Sequence, residues 1–273
     1  MLSIKRIIHL RFRRMCKYYQ RIEHNYDQEA IHHFRVEYKK LRAFLRLLSA
    51  ASEHGKIKIP SSLNHVYQKA GAVRDLQLHI ETIKGNTSSS HSPVNYIRRV
   101  RRKLAAAKKE LAKTMQHDVL PQSQKKIEKK IKEILKDATI ENFVSEKMSE
   151  IACLLRHKII RDTDLHSVRK SLKDIIYIAL MFKKDLSLPF PVNGWDAERE
   201  KYLTGIATEL GCFQDSCISL AHLKNDQRSA AEPGDSNVIA DIYRAQSRLK
   251  RQQKRLLIRD ALTLITVTSD RHH

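Results

Sequence analysis

An all-α fold is predicted, on three observations. Glycine and proline number only 7 and 6 in 273 residues, below the roughly 7% and 5% of ordinary chains, so turns are scarce. Apolar residues recur at helical spacing along most of the chain. The strict alternation that marks a half-buried strand is hard to find. The length gives ample core for one large domain or two of modest size.

Residues about 2–24 read as a basic amphipathic helix with Ile4, Ile7, Ile8, Phe12, Met15 and Tyr19 at core spacing. Asn25, Tyr26 and Asp27 make a short turn, and Asp27 is placed to cap the helix over about 28–52, which stops near Gly55. Pro60, Ser61 and Ser62 open a third helix that runs to about 84. A polar loop over 85–93 follows, and a fourth helix over about 94–118 opens with Arg98, Arg99, Arg101, Arg102 and Lys103. Pro121 closes this half. A helix then begins near Ser123 and breaks around 137–141 before continuing to about 161. Asp162 or Thr163 caps a helix over about 164–186. A connector over 188–194 leads to a helix over about 195–226, bent at Gly211. After a loop over 227–236, a last basic helix covers about 236–265.

A formal charge of +22, from 52 Lys and Arg against 30 Asp and Glu, is more than solubility needs and attracts polyanions: nucleic acid, polyphosphate or an anionic membrane surface. Cys16, Cys153, Cys212 and Cys217 lack metal-binding spacing and read as buried free thiols in a reducing, cytoplasmic setting. Arg11, Arg13 and Arg14 interrupt any secretory apolar region, and no run approaches a membrane span. No membrane association is expected.

The second helix carries the main clue. His32, Arg35, Lys39, Arg42 and Arg46 fall within roughly 80° of one another on a helical wheel. Phe34, Leu41, Leu45 and Leu48 flank this stripe on one side, Val36, Ala43 and Leu47 on the other, while Glu37 and Lys40 fall toward the opposite face. A stripe set between apolar flanks points inward rather than into bulk solvent. An internal repeat strengthens the point. Ile31, His32 and Arg35 with Lys39 are echoed by Leu165, His166 and Arg169 with Lys173; Ala70-Gly71-Ala72-Val73-Arg74-Asp75 is echoed by Leu210-Gly211-Cys212-Phe213-Gln214-Asp215. The paired His lie 134 residues apart and the paired Gly 140 apart, in the same order.

His-x-x-Arg-x-x-x-Lys-x-x-Arg on one helix, Arg-Asp on the next and a degenerate second copy resemble the CHAD family, the conserved histidine α-helical domains. The resemblance covers about residues 8–265. It implies two four-helix bundles from an internal duplication, residues 1–120 and 121–273, with a basic groove or pore between them. It also implies binding of inorganic polyphosphate and residence at polyphosphate granules. His32, Arg35, Lys39, Arg42 and Arg74-Asp75 match the first copy; His166, Arg169, Lys173, Tyr177 and Asp215 match the second. Asp174 and Ile176 stand where the family usually carries basic residues, and Leu180 stands opposite Arg46, so the second stripe is shorter.

The residue types suit a polyanion with no bases to read. Arg makes bidentate contacts to phosphate and Lys tolerates many approach angles, so a mixed row holds a repeating chain in several registers. From His32 to Arg46 the row covers about 21 Å of helix axis. The expected ligand-binding set is therefore His32, Arg35, Lys39, Arg42, Arg46, His166, Arg169 and Lys173, with Arg11, Arg14, Arg74, Arg98 and Arg102 as further candidates. Asp75 and Asp215 are expected to form buried ion pairs that position neighbouring cations, with Tyr177 in support. No cofactor, metal or catalytic group is expected. Two other classes compete. Nucleic-acid binding, RNA included, is permitted by charge, but aromatics are only 6% of the chain and do not interrupt the basic rows. A phosphohydrolase or phosphotransferase using His32 would require a carboxylate to orient the imidazole, and no Gly-rich phosphate loop or clustered carboxylates for Mg²⁺ are evident.

Overall fold

The structure, a computed structural model, describes residues 4–52, 55–85, 93–131, 135–228 and 233–269. Residues 86–92 of the loop expected over 85–93, Lys132 with Glu133, and part of the 227–236 loop lie outside the described residues. Among those described there are nine α-helices and no strand: α1 (Ile4–Asn25), α2 (Gln28–Ala51), α3 (Ser61–Gly85), α4 (Val94–Thr114), α5 (Val119–Glu128), α6 (Asp137–Leu155), α7 (Asp162–Met181), α8 (Ala197–Arg228) and α9 (Pro233–Ser269). A π-helical turn over Phe182–Leu186 extends α7 and ends at Ser187, in the left-handed region at φ 55°.

The first helix buries the six apolar positions its spacing selects, together with Ile22. Two residues separate it from α2. Tyr26 takes φ 54°, and the Asp27 carboxylate accepts from the Glu29 and Ala30 amides at 2.9 and 3.4 Å, satisfying donors that the first turn leaves orphaned. Both apolar flanks of α2 are used. Phe34, Leu41, Leu45 and Leu48 are buried, as are Ala43 and Leu47, while Val36 is half-buried. The helix packs on α1 and α3 and also on α6 and α7, which leaves its basic stripe in the interval between two packing surfaces.

One apolar cluster joins α1, α2, α3 and α5 to the end of α7; a second joins α6, α7, α8 and α9; a third ties α3 and α4 to α8 and the start of α9. The seams that position the site are α2 on α7 and α3 on α8.

Several elements differ from expectation. The fourth helix stops at Thr114, and Pro121, expected to close the first half, lies inside the first turn of α5, where a missing amide costs little. The break expected around 137–141 falls earlier, since α5 ends at Glu128 and α6 begins at Asp137. Packing places α5 with α1 and α3, across the boundary expected at 120. Asp164, not Asp162 or Thr163, closes the start of α7 by accepting from the Arg161 amide at 2.7 Å. Asp162 instead pairs with Lys250 and Lys254 of α9. The eighth helix runs unbroken through Gly211. All four cysteines are free, but none is buried: Cys153 and Cys212 are exposed, Cys16 and Cys217 half-buried.

Buried charge corrects two further expectations. Glu37, placed by its wheel position away from the site, is buried, and Arg11 is wholly inaccessible. They pair at 2.7 Å, and Arg11 also pairs with Asp185 of the π-helical turn. Arg14 reaches Asp185 at 3.0 Å. Arg11 and Arg14 therefore tie α1 to α2 and the end of α7, and neither lines the cavity described below.

Candidate functional site

Where α2 and α3 meet α7 and α8, the chain encloses a cavity of about 420 Å³. His32, Arg35, Lys39 and Arg42 line it from α2, Tyr67, Arg74 and Asp75 from α3, His166, Arg169, Lys170, Lys173, Asp174 and Tyr177 from α7, and Gln214 and Asp215 from α8. Seven Lys and Arg side chains face three Asp there.

Helical spacing explains the assembly. On α3, Tyr67, Gly71, Arg74 and Leu78 lie at i, i+4, i+7 and i+11, one face of the helix. The glycine lets α2 come close: a methyl group built on Gly71 would collide with Arg35 Nη1 and reach its Cζ at 3.0 Å. Arg35 Nη1 donates to the Tyr67 carbonyl at 2.8 Å, and its guanidinium lies 4.5 Å from the centre of the Tyr67 ring. Tyr67 stacks in turn on Tyr38, with centroids 4.0 Å apart. Arg42 lies 5.7 and 5.9 Å from those two rings. In the other half Gly211 faces Arg169, whose Nε would sit 3.5 Å from an added methyl, an ordinary contact distance.

The electrostatics of the cavity favour negative charge. Arg42 Nε, Arg74 Nη1 and Arg169 Nε are buried nitrogens with no hydrogen-bond partner among the described residues, a costly state that a phosphate oxygen would relieve. Burial, with Arg35, Arg169 and Arg42 close by and only partly offset by Asp215, pushes the Lys39 ammonium down to about 7. Burial likewise lowers Lys173, with Arg169 adding to it. His32 is lowered by burial and then by Arg74, and His166 by burial against the opposing effect of Gln214. Asp75 and Asp215 are raised, chiefly by burial.

Seven of the eight main expected residues share this cavity; Arg46 does not. Its guanidinium pairs with Asp174 at 2.5 Å and lines the two neighbouring grooves. Asp174 is buried, with its carboxyl raised by burial against the pull of Arg46. Of the further candidates only Arg74 lines the cavity; Arg98 and Arg102 are exposed on α4. Asp75 and Asp215 sit at the site but form no ion pair within 4 Å among the described residues, correcting the expectation of buried pairs. They act on the cations by field alone. Tyr177 lines the cavity, with its hydroxyl pushed up to about 12 by burial.

Tyr67, Lys170 and Gln214 line the cavity without being among the residues expected there. The i−4 relation of Tyr67 to Gly71 is the signal that finds it, and Gln214 stands in the repeat where Arg74 stands in the first copy. His166 Nδ1 lies 2.8 Å from Gln214 Oε1, so the imidazole donates and its Nε2 remains for a ligand. An amide thus occupies the place of the orienting carboxylate that a catalytic role for His166 would call for. Among the described residues no group of three or more His, Cys, Asp or Glu is arranged to hold a metal ion, and no helix is long and apolar enough to cross a membrane.

A model of the CHAD domain matches residues 6–224. The chain belongs to the CHAD domain family. Its fold is similar to the crystal structure of the CHAD domain from the plant Ricinus communis, with a TM-score of 0.75 at 13% identity over 94% of this chain and 89% of that one. At that identity the likeness is one of fold. No curated protein matches this CHAD domain.

Proposed function

We propose that this CHAD domain binds inorganic polyphosphate in the cavity between α2, α3, α7 and α8, as a non-catalytic module. The observation that carries the reading is the set of buried Arg42, Arg74 and Arg169 nitrogens without partners among the described residues, in a cavity where Lys and Arg outnumber carboxylates. A linear anion without bases suits it. The Tyr38 and Tyr67 rings are stacked on one another and overlain by Arg35 and Arg42, so they offer no free platform on which a nucleobase would stack. Binding should weaken with salt, with a slope of about −0.7 per phosphate neutralised. Residence in the cytoplasm at polyphosphate granules follows from the ligand and belongs to the same proposal.

Competition between long-chain polyphosphate and single-stranded DNA of matched charge at equal salt tests the reading. Preference for polyphosphate supports it, and preference for DNA contradicts it. A second measurement addresses catalysis. Phosphate released from polyphosphate with Mg²⁺, and lost in His32→Ala, would replace the binding reading with an enzymatic one.

A further inference from the structure

We propose that a long polyphosphate leaves the cavity past Arg42 and continues along a second groove whose rim carries Lys56 and Lys58, which makes this groove a chain-length-selective extension of the site. The proposal rests on the polyphosphate reading above and adds where the chain goes. The groove holds about 540 Å³. One wall is the C-terminal half of α2; another is the non-helical segment 55–60 that follows it. Arg42 lines both the cavity and the groove, so the two spaces share a cation at their junction. From His32 to Ser49, which lines the far part of the groove, α2 rises by about 26 Å, against about 15 Å from His32 to Arg42 within the cavity. A short anion needs only the cavity.

Local structure aims the lysines. Ile57 is buried, and its amide donates to Ser49 Oγ at 2.9 Å, while that hydroxyl donates to the Leu45 carbonyl at 2.6 Å. This anchors the segment to the last turns of α2 and leaves Lys56 and Lys58, on either side of the anchor, exposed along the groove. Neither has an ion-pair partner within 4 Å among the described residues, and Glu146 is the one carboxylate among those that line the groove.

The alternative exit is less favourable. The groove between α6 and α7 is larger, about 990 Å³, but Glu146, Glu150 and Asp174 line it beside Arg46, Lys147 and Lys170. There Arg46 is taken by Asp174 and Lys147 by Glu150, at 2.5 and 2.7 Å. A polyanion leaving that way meets three carboxylates that repel it, and Lys170 is the one lining Lys or Arg outside an ion pair among the described residues. Past Arg42 it meets the same Arg46 and Lys147, but gains Lys56 and Lys58 against a single lining carboxylate, Glu146.

Lys56→Ala/Lys58→Ala separates the two spaces. Binding of inorganic triphosphate and of long-chain polyphosphate is measured for this double variant, for the wild type and, as a surface control, for Lys125→Ala/Lys126→Ala, two exposed positions on α5 that line neither space. The expected result is unchanged triphosphate affinity, a several-fold loss for the long chain and a salt slope smaller by about 1.4, or about 0.7 per lysine. The control should keep wild-type affinity for both. Equal losses for both ligands, no loss for either, or a comparable loss in the control would overturn the extension. Wild-type protein that binds neither ligand would overturn the polyphosphate reading itself, and the extension with it.

Discussion

The guanidinium of Arg35 rests on the bare Cα of Gly71, so close that a methyl group there would collide with Nη1. The corresponding pair, Arg169 on Gly211, leaves 3.5 Å. Alanine should therefore act differently at the two glycines. Replacing a helical glycine adds about 1 kcal/mol of helix propensity. Gly211→Ala is expected to raise stability by up to that amount with binding intact. Gly71→Ala is expected to keep the fold but push Arg35 off the Tyr67 carbonyl and weaken polyphosphate binding several-fold. Melting temperature and affinity, measured on both variants, separate the effects; equal affinity in the two would contradict the account.

Affinity should fall as pH rises. With Lys39 held near 7 mainly by burial and then by its Arg neighbours, the empty cavity loses that charge above about neutral pH. A phosphate favours the charged form, so binding there takes up a proton. Asp75 and Asp215, raised by burial, act in the same direction, since protonating them at acid pH removes repulsion. For folding, a lysine held below its ordinary 10.5 penalises the empty protein most below its folded value, and the penalty lifts as pH climbs toward the unfolded one. Titration calorimetry from about pH 6 to pH 9 in buffers of different ionisation heat measures the uptake. Lys39→Arg, always charged, should flatten the profile.

Arg11 should matter to stability and not to the ligand. Removing one partner of a buried pair strands the other charges, which costs about 3–5 kcal/mol. Arg11→Met would leave buried Glu37 with Lys40 alone and buried Asp185 with Arg14 alone, so the loss should lie at or below the low end of that range. Denaturant unfolding should show that loss, while salt-dependent polyphosphate binding by the remaining folded protein stays at wild-type strength. Arg14→Ala, at a partly exposed guanidinium, should cost about 1 kcal/mol or less.

Much of this could be seen in the sequence because helical periodicity is local. The core of α1, the Asp27 cap and the inward stripe of α2 each depend on residues within a few turns. The repeat also brought His166, Arg169 and Lys173 to the same cavity as His32, Arg35 and Lys39. The errors concern partners distant in the chain. Arg46 reads as the fourth turn of a basic row, but Asp174, 128 residues away, claims it. Arg11 reads as a further ligand-binding candidate until Glu37 and Asp185 are placed around it. The break before α6 is hidden in the sequence because Ile131, Ile134 and Leu135 keep helical spacing across it, and Tyr67 gives no sequence signal of its own because its role comes from the arginines that cover it.

The central claim is that the paired basic rows, not diffuse charge, hold the ligand. Polyphosphate affinity of Arg35→Ala/Arg169→Ala against Lys125→Ala/Lys126→Ala at one salt concentration tests it most directly. Each double variant removes two positive charges, so long-range attraction falls equally. A hydrogen bond to a charged group is worth about 1.5–3 kcal/mol, so losing the cavity pair should cost at least about tenfold in affinity, and losing the surface pair much less. Equal losses in the two variants would contradict the account.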